Sequence, residues 1–197
     1  MTDGLSDALR WRQMRWRRRD IGDTEAADAA RAVMYDDVTG LASRFLFFDR
    51  LGLALARTER RNSWAAVLLL DLDGFPHVEE RTGRATAEEA LREVADRLMT
   101  VIRPGDSAAR VGNGQFAVLC EEIEGEADAI SIAERLAAAL AFPFELEEAQ
   151  VHLSASVGIA LAGGRDADAE ALIRGAGTAM RSAREHGGGR FEVFRPS

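Results

Sequence analysis

The residues able to do chemistry in this chain are carboxylates and arginines at the ends of apolar runs. Asp71 and Asp73 close the run Ala65-Ala66-Val67-Leu68-Leu69-Leu70 and precede Gly74. A carboxylate there either contributes to a polar site at a strand end or caps the following turn. Arg103 and Asp106 stand three apart, with Pro104 and Gly105 between them, just after a helical pattern. A guanidinium fork in that place grips an anionic oxygen in bidentate fashion. It equally complements the C-terminal end of a helix dipole, and Asp106 equally starts the next strand. His77, His152 and His186 lie far apart and show no metal-ligand spacing. Cys120 is the only cysteine and falls in the run Phe116-Ala117-Val118-Leu119-Cys120. It is expected to be a buried inert thiol, with no internal disulfide and no multi-cysteine metal site.

The elements that must position these groups follow from periodicity and punctuation. Ser43 is expected to cap a helix running to about Arg60, with Phe45, Phe48, Leu51, Leu53 and Leu55 at its apolar positions. Residues 65–70 form a short continuous apolar run, the pattern of a central strand covered on both faces. A helix is expected from about Ala87 to Ile102, stopped by Pro104-Gly105. Ala108 to Val111 and Gln115 to Cys120 read as strands joined through Gly112-Asn113-Gly114, and an Asn-Gly turn is a strong hairpin signal. Helix over 127–141, strand over 151–161, helix over 167–185 and a last strand over 191–194 complete the order. That order predicts an α/β domain with one mixed sheet flanked by helices. Residues 1–35 are expected to form a basic helical extension with a hinge at 20–23 and a cap at Asp23 or Thr24, leaving 36–197 as the domain.

Composition narrows the function. The chain has 197 residues, the length of one domain with an extension. All 25 basic residues are arginine, and the formal net charge is −8. Residues 1–19 hold six arginines (Arg10, Arg12, Arg15, Arg17, Arg18 and Arg19) against Asp3 and Asp7, which leaves −12 on the remainder. An acidic body of this kind excludes a dedicated DNA binder. The Arg/Trp-rich stretch 10–19 suits a dimerising helix, a partner protein or a peripheral contact with an anionic membrane. No signal-peptide pattern or run of transmembrane length is present, so a cytoplasmic location is expected.

Five short motifs in order now carry a resemblance. Asp36-Asp37-Val38-Thr39-Gly40-Leu41-Ala42-Ser43-Arg44 resembles the D-x-L-T-G-L-x-N-R opening of GGDEF (diguanylate cyclase) domains. Asp71-Leu72-Asp73-Gly74-Phe75 resembles their D-x-D-x-F strand end, and Arg110-Val111-Gly112-Asn113-Gly114-Gln115-Phe116 stands where R-x-G-G-D-E-F is expected. Ser154-Ala155-Ser156-Val157-Gly158-Ile159-Ala160 resembles the closing S-x-G-I-A strand. Ala176 to Arg184 resembles the A-D-x-A-M-Y-x-A-K helix.

The resemblance implies a fold and an activity, and also their failure. Active members join two GTP molecules into cyclic di-GMP with divalent metal, which requires carboxylates for the cations and positive charge for the phosphates. Asp71 matches the first metal-binding aspartate. The second has become Gly114 and the following glutamate Gln115, so one carboxylate remains of the set. The phosphate-reaching lysine after D-x-D-x-F is Pro76, the guanine-reading asparagine and aspartate are Glu79 and Glu88, and the late lysine is Arg184. Gly112, Asn113 and Gly114 are then only a turn. The expectation is a chain that is not an enzyme and carries no cofactor or metal, with Asp71 at most a weak metal contact.

The resemblance also implies a second site. Many members bind their product at an R-x-x-D placed before the hairpin, which Arg103 to Asp106 matches, and Arg135 matches an assisting arginine. An arginine fork suits the O6 and N7 edge of guanine or a phosphate oxygen, and an aspartate accepts from N1 and N2. The leading expectation is therefore an inactive GGDEF domain that acts as a cyclic di-GMP receptor or regulatory module through Arg103, Asp106 and Arg135. The alternatives are a nucleotide-independent scaffold that contacts a protein or a second copy through its N-terminal helix, and a residual GTP binder using Asp71, Glu88 and Arg184.

Overall fold

A computed structural model of the chain describes residues 31–61, 63–147, 149–163 and 167–196. The expected extension over 1–35, with its hinge, its cap and its basic stretch, lies outside the described residues except for its last part, where 31–34 are helical. Twelve elements follow: β1 (Ala42–Ser43), α1 (Arg44–Arg61), β2 (Trp64–Asp73), α2 (Phe75–Val101), β3 (Ser107–Gly112), β4 (Gln115–Ile123), α3 (Glu126–Ala141), β5 (Phe144–Glu145), β6 (Gln150–Val151), β7 (Ser154–Gly163), α4 (Ala169–Glu185) and β8 (Phe191–Val193).

The main sheet has the order β1-β3-β4-β2-β7-β8, and β5 and β6 form a separate small ribbon. β2 is antiparallel to both its neighbours, whereas the outer pairs β1/β3 and β7/β8 are parallel, so the sheet is mixed as expected. Alternation along β2 explains why this strand is central. Ala66, Leu68, Leu70 and Leu72 belong to one core with Leu91, Val94 and Leu98 of α2 and Leu136 of α3. Ala65 and Val67 belong to the other with Phe47, Leu51 and Leu55 of α1 and Leu172 and Ala176 of α4. A strand whose successive side chains point to opposite faces reads as an unbroken apolar run only when both faces are covered.

Several boundaries differ from expectation. α2 begins at Phe75 rather than near Ala87, because Gly74 turns the chain with φ 73° and Pro76 fits the first helical turn, where no N–H partner is needed. Gly83, at φ 80° and ψ 168°, breaks the helix within its span and so hides the periodicity of its first part. β2 extends from Trp64 to Asp73, beyond the apolar run at both ends. The strand expected over 151–161 is divided at His152-Leu153 into β6, which pairs with β5, and β7, which joins the main sheet. The Ser43 cap is present: its hydroxyl accepts from Leu46 N at 3.3 Å and donates to Val33 O at 2.6 Å. No helix among the described residues is long and apolar enough to cross a membrane.

Candidate functional site

The C-terminal end of β2 and the β3–β4 hairpin meet at one edge of the fold. Register places Asp71 opposite Gln115 of β4 on one side and Ser156 of β7 on the other. Leu72 N donates to Gly114 O at 2.9 Å, which fixes the hairpin turn against the strand end. Gly114 has φ +69°, and a Cβ built there would lie 2.9 Å from Cδ1 of Phe75, whose ring is buried beneath the turn. A side chain at this position is therefore strained by the backbone and crowded by the ring.

Asp71 is only 13% exposed, and its Oδ2 accepts from Arg184 Nη1 at 2.6 Å. This corrects the expectation that Asp71 caps the following turn: its hydrogen bond goes to the last turn of α4. Asp73 is the carboxylate that ties down backbone. Its oxygens accept from Ser156 Oγ and Ser154 Oγ, each at 2.7 Å, and from Gly189 N at 2.9 Å. It thereby fastens the Gly187-Gly188-Gly189 turn to the central strand, a role the motif gave no reason to assign.

Glu79 and Glu88, expected from the resemblance at the guanine-reading positions, are also engaged internally. Glu79 Oε2 accepts from Asn113 Nδ2 at 3.2 Å, so it is linked to the hairpin. Glu88 accepts from Arg84 Nε at 2.7 Å and faces Arg92 at 3.5 Å. Pro76 is in the first turn of α2. Among the described residues no three His, Cys, Asp or Glu side chains cluster as a metal cage would require. Asp71 is paired with Arg184 and Asp73 already accepts three hydrogen bonds, so the donor set does not fit the two hard cations of an active member.

A second group forms at the far end of β4. The Asp106 side chain is 2% exposed. Its oxygens accept from Arg103 N and Glu121 N, both at 3.2 Å. The Arg103 side chain is 55% exposed and donates through Nη2 to Glu121 O at 2.5 Å and Glu122 O at 3.0 Å. Glu122 takes φ 51°, which turns its carbonyl into this cluster's reach. Burial pushes the Asp106 carboxyl above the ordinary aspartate range, against its two backbone donors and Arg103. Burial also raises the Cys120 thiol far out of reach of ionisation, reinforced by Asp106 and opposed by Arg103 and Arg135. The buried inert thiol is thus as expected. Arg103 and Asp106 lie together at this end of β4, whereas Arg135 is exposed on α3.

One position outside the expected sites organises the approach to the hairpin. Asp36 Oδ1 accepts from Thr39 N at 2.8 Å and Thr39 Oγ1 at 2.7 Å, and Arg110 Nη1 reaches its Oδ2 at 3.2 Å. The Asp-x-x-Thr spacing signals such a turn. The Arg110 partner, on β3, is not visible in that spacing.

Comparison with known proteins agrees with the geometry. The family profile "Diguanylate cyclase, GGDEF domain" matches residues 33–190. The diguanylate cyclase TpbB of Pseudomonas aeruginosa is 34% identical over 119 residues, 60% of this chain and 27% of that protein. The bifunctional diguanylate cyclase/cyclic di-GMP phosphodiesterase MucR of the same organism is 35% identical over 164 residues, 83% of this chain and 24% of that protein. The chain thus spans about a quarter of the length of these relatives. The solved GGDEF domain of TpbB superposes with a TM-score of 0.78 at 31% identity, covering 82% of this chain and 94% of that one. A profile match over most of the sequence, on a sheet that superposes on a solved GGDEF domain, places this chain in the GGDEF domain family, whose relatives act in cyclic di-GMP signalling.

Proposed function

We propose that this chain is a catalytically inactive GGDEF domain that serves as a regulatory module in cyclic di-GMP signalling. The observation that carries the reading is the pairing of Asp71 with Gln115 across the β2–β4 ladder, with Gly114 before it. Phosphoryl transfer between two nucleotides needs metal ions clamped by several carboxylates close to the attacking hydroxyl. Here one carboxylate faces a neutral amide and a bare turn. A glutamine keeps the length of a glutamate and offers a donor in place of a charge. Incubation of the purified chain with GTP and Mg2+ or Mn2+ is expected to yield no cyclic di-GMP above a protein-free blank, measured by chromatography beside an active GGDEF domain. Metal-dependent product would overturn the reading.

A finer reading, cyclic di-GMP reception, is favoured by Arg103 and Asp106 closing together on one end of β4, with Arg135 exposed on α3. Arg135 is exposed and Arg103 half exposed, with its Nη2 held by Glu121 O and Glu122 O; the remaining guanidinium N–H groups suit a guanine edge or a phosphate. Asp106, held inward by two backbone N–H groups, positions Arg103 and meets a nucleobase only after exchanging those bonds. Calorimetric titration of cyclic di-GMP is expected to give binding in wild type and a loss of at least about tenfold in Arg103→Ala, the scale of one charge-assisted bidentate contact. No heat with either protein at high micromolar ligand would end the receptor reading and leave contact with another protein as the role of the domain.

A further inference from the structure

The Asp71–Arg184 contact joins residues 113 positions apart, and its chemistry bears on more than the inactive-site reading. Asp71 ends the central strand, sheltered between β4 and β7. A carboxylate withdrawn this far from water is costly unless a positive charge and hydrogen bonds compensate it. In a metal-loaded site a divalent cation shared among several carboxylates supplies that charge. Neither other side chain facing Asp71 brings charge: Gln115 and Ser156 are both neutral. Asp73, two residues on, is occupied by Ser154, Ser156 and Gly189. The positive charge comes instead from Arg184, on the last turn of α4, whose guanidinium also lies favourably at the negative end of the helix dipole.

We propose that Arg184 is the resident counter-cation of Asp71, occupying the electrostatic place of a divalent metal and barring one from that carboxylate. The proposal rests on the inactive-site reading above and deepens it. The pair is internally neutral, at 2.6 Å it is a charge-assisted hydrogen bond, and a second cation arriving at the same oxygen meets the guanidinium. Loss of the metal-binding carboxylates is then only half of the change. The remaining aspartate keeps its place because an arginine holds it, and that arginine also fastens the end of α4 to the central strand.

The test is thermal unfolding of the full chain with and without about 5 mM MnCl2, using NaCl at equal ionic strength as control. Wild type is expected to show no Mn2+-specific shift. Arg184→Ala should melt about 2–4 °C lower, because Asp71 is left uncompensated. Mn2+ should recover about 1–2 °C of that loss by taking the vacated place. Arg184→Lys, which keeps the charge, should stay unresponsive, and Asp71→Asn/Arg184→Ala should lose the Mn2+ recovery. Arg184→Ala melting with wild type, showing no Mn2+ response, or responding no more than wild type would overturn the proposal. If Arg184→Ala does not fold, Arg184→Gln takes its place with the same readout. The two readings fail separately: cyclic di-GMP synthesis by wild type would sink the inactive-site reading, whereas the melting series tests Arg184 alone.

Discussion

Gly158→Ala is expected to cost roughly 4 kcal/mol or more, enough to remove most of the stability of a domain whose total is about 5–15 kcal/mol. Gly158 lies in β7, paired with Leu69 of the central strand. A Cβ built there would lie 2.0 Å from the carbonyl oxygen of Ala176, 2.2 Å from Met180 N and 2.8 Å from Met180 Cα. All three are backbone atoms of α4, so no rotamer change relieves the clash. The helix would have to lift from the sheet, opening the core it shares with β2 and α1. Interiors packed near crystal density yield little to such a displacement. Urea unfolding followed by circular dichroism measures the effect, with Gly52→Ala as comparison, since Gly52 is exposed and a Cβ there meets nothing within 4 Å. Gly158→Ala and wild type unfolding at the same urea concentration would contradict this seating of α4. The arm of Arg184 that reaches Asp71 depends on that seating.

Arg97→Ala is expected to cost about 2–4 kcal/mol by the loss of one side chain that closes a helix end. Arg97 lies in α2 and is only 17% exposed. Its Nη1 donates to Ala139 O at 3.1 Å and Phe142 O at 2.6 Å, and its Nη2 to Pro143 O at 2.7 Å. These carbonyls stand at the C-terminal end of α3, where intrahelical partners run out and the dipole is negative. The guanidinium also lies 3.7 Å from the centroid of Phe144, a fully buried ring, and pairs with Glu93 at 3.2 Å. Removing it leaves carbonyls short of a donor and the ring without its cation. Arg97→Lys should recover less than half, because a point charge cannot span three carbonyls and cover a ring together. Chemical denaturation gives the free energies, and hydrogen exchange should localise the loosening to the end of α3. A loss below about 0.5 kcal/mol would show that solvent meets those carbonyls equally well.

Signals confined to a few neighbouring residues are legible in the sequence. The continuous apolar stretch at 65–70 marks the central strand because both faces of that strand are covered. Asn113-Gly114 marks the hairpin because a two-residue reversal needs a positive φ, and Gly114 supplies it. Ser43 marks the head of α1 because one hydroxyl reaches the helix N–H three residues on. Where a glycine or a short break cuts the pattern, as at Gly83 and at His152-Leu153, periodicity misplaces the boundary, since windows of a few residues lose phase there.

The candidate sites divide along the same line. Residue identities carry the expectation that Gly114 and Gln115 stand where the family hairpin has acidic residues, with Asp71 retained. They also carry the expectation that Arg103, Asp106 and Arg135 form a product-binding site. Side-chain identity at a known spacing is a one-dimensional property. What those groups hold is settled by the folded chain. Arg184 closes on Asp71 from 113 positions further along the sequence. Asp73 takes the triple-glycine turn, Glu79 takes Asn113, and Asp106 turns inward to two backbone N–H groups. A charged side chain goes to whichever opposite charge or open hydrogen bond the fold places within about 3 Å, and no local pattern encodes that.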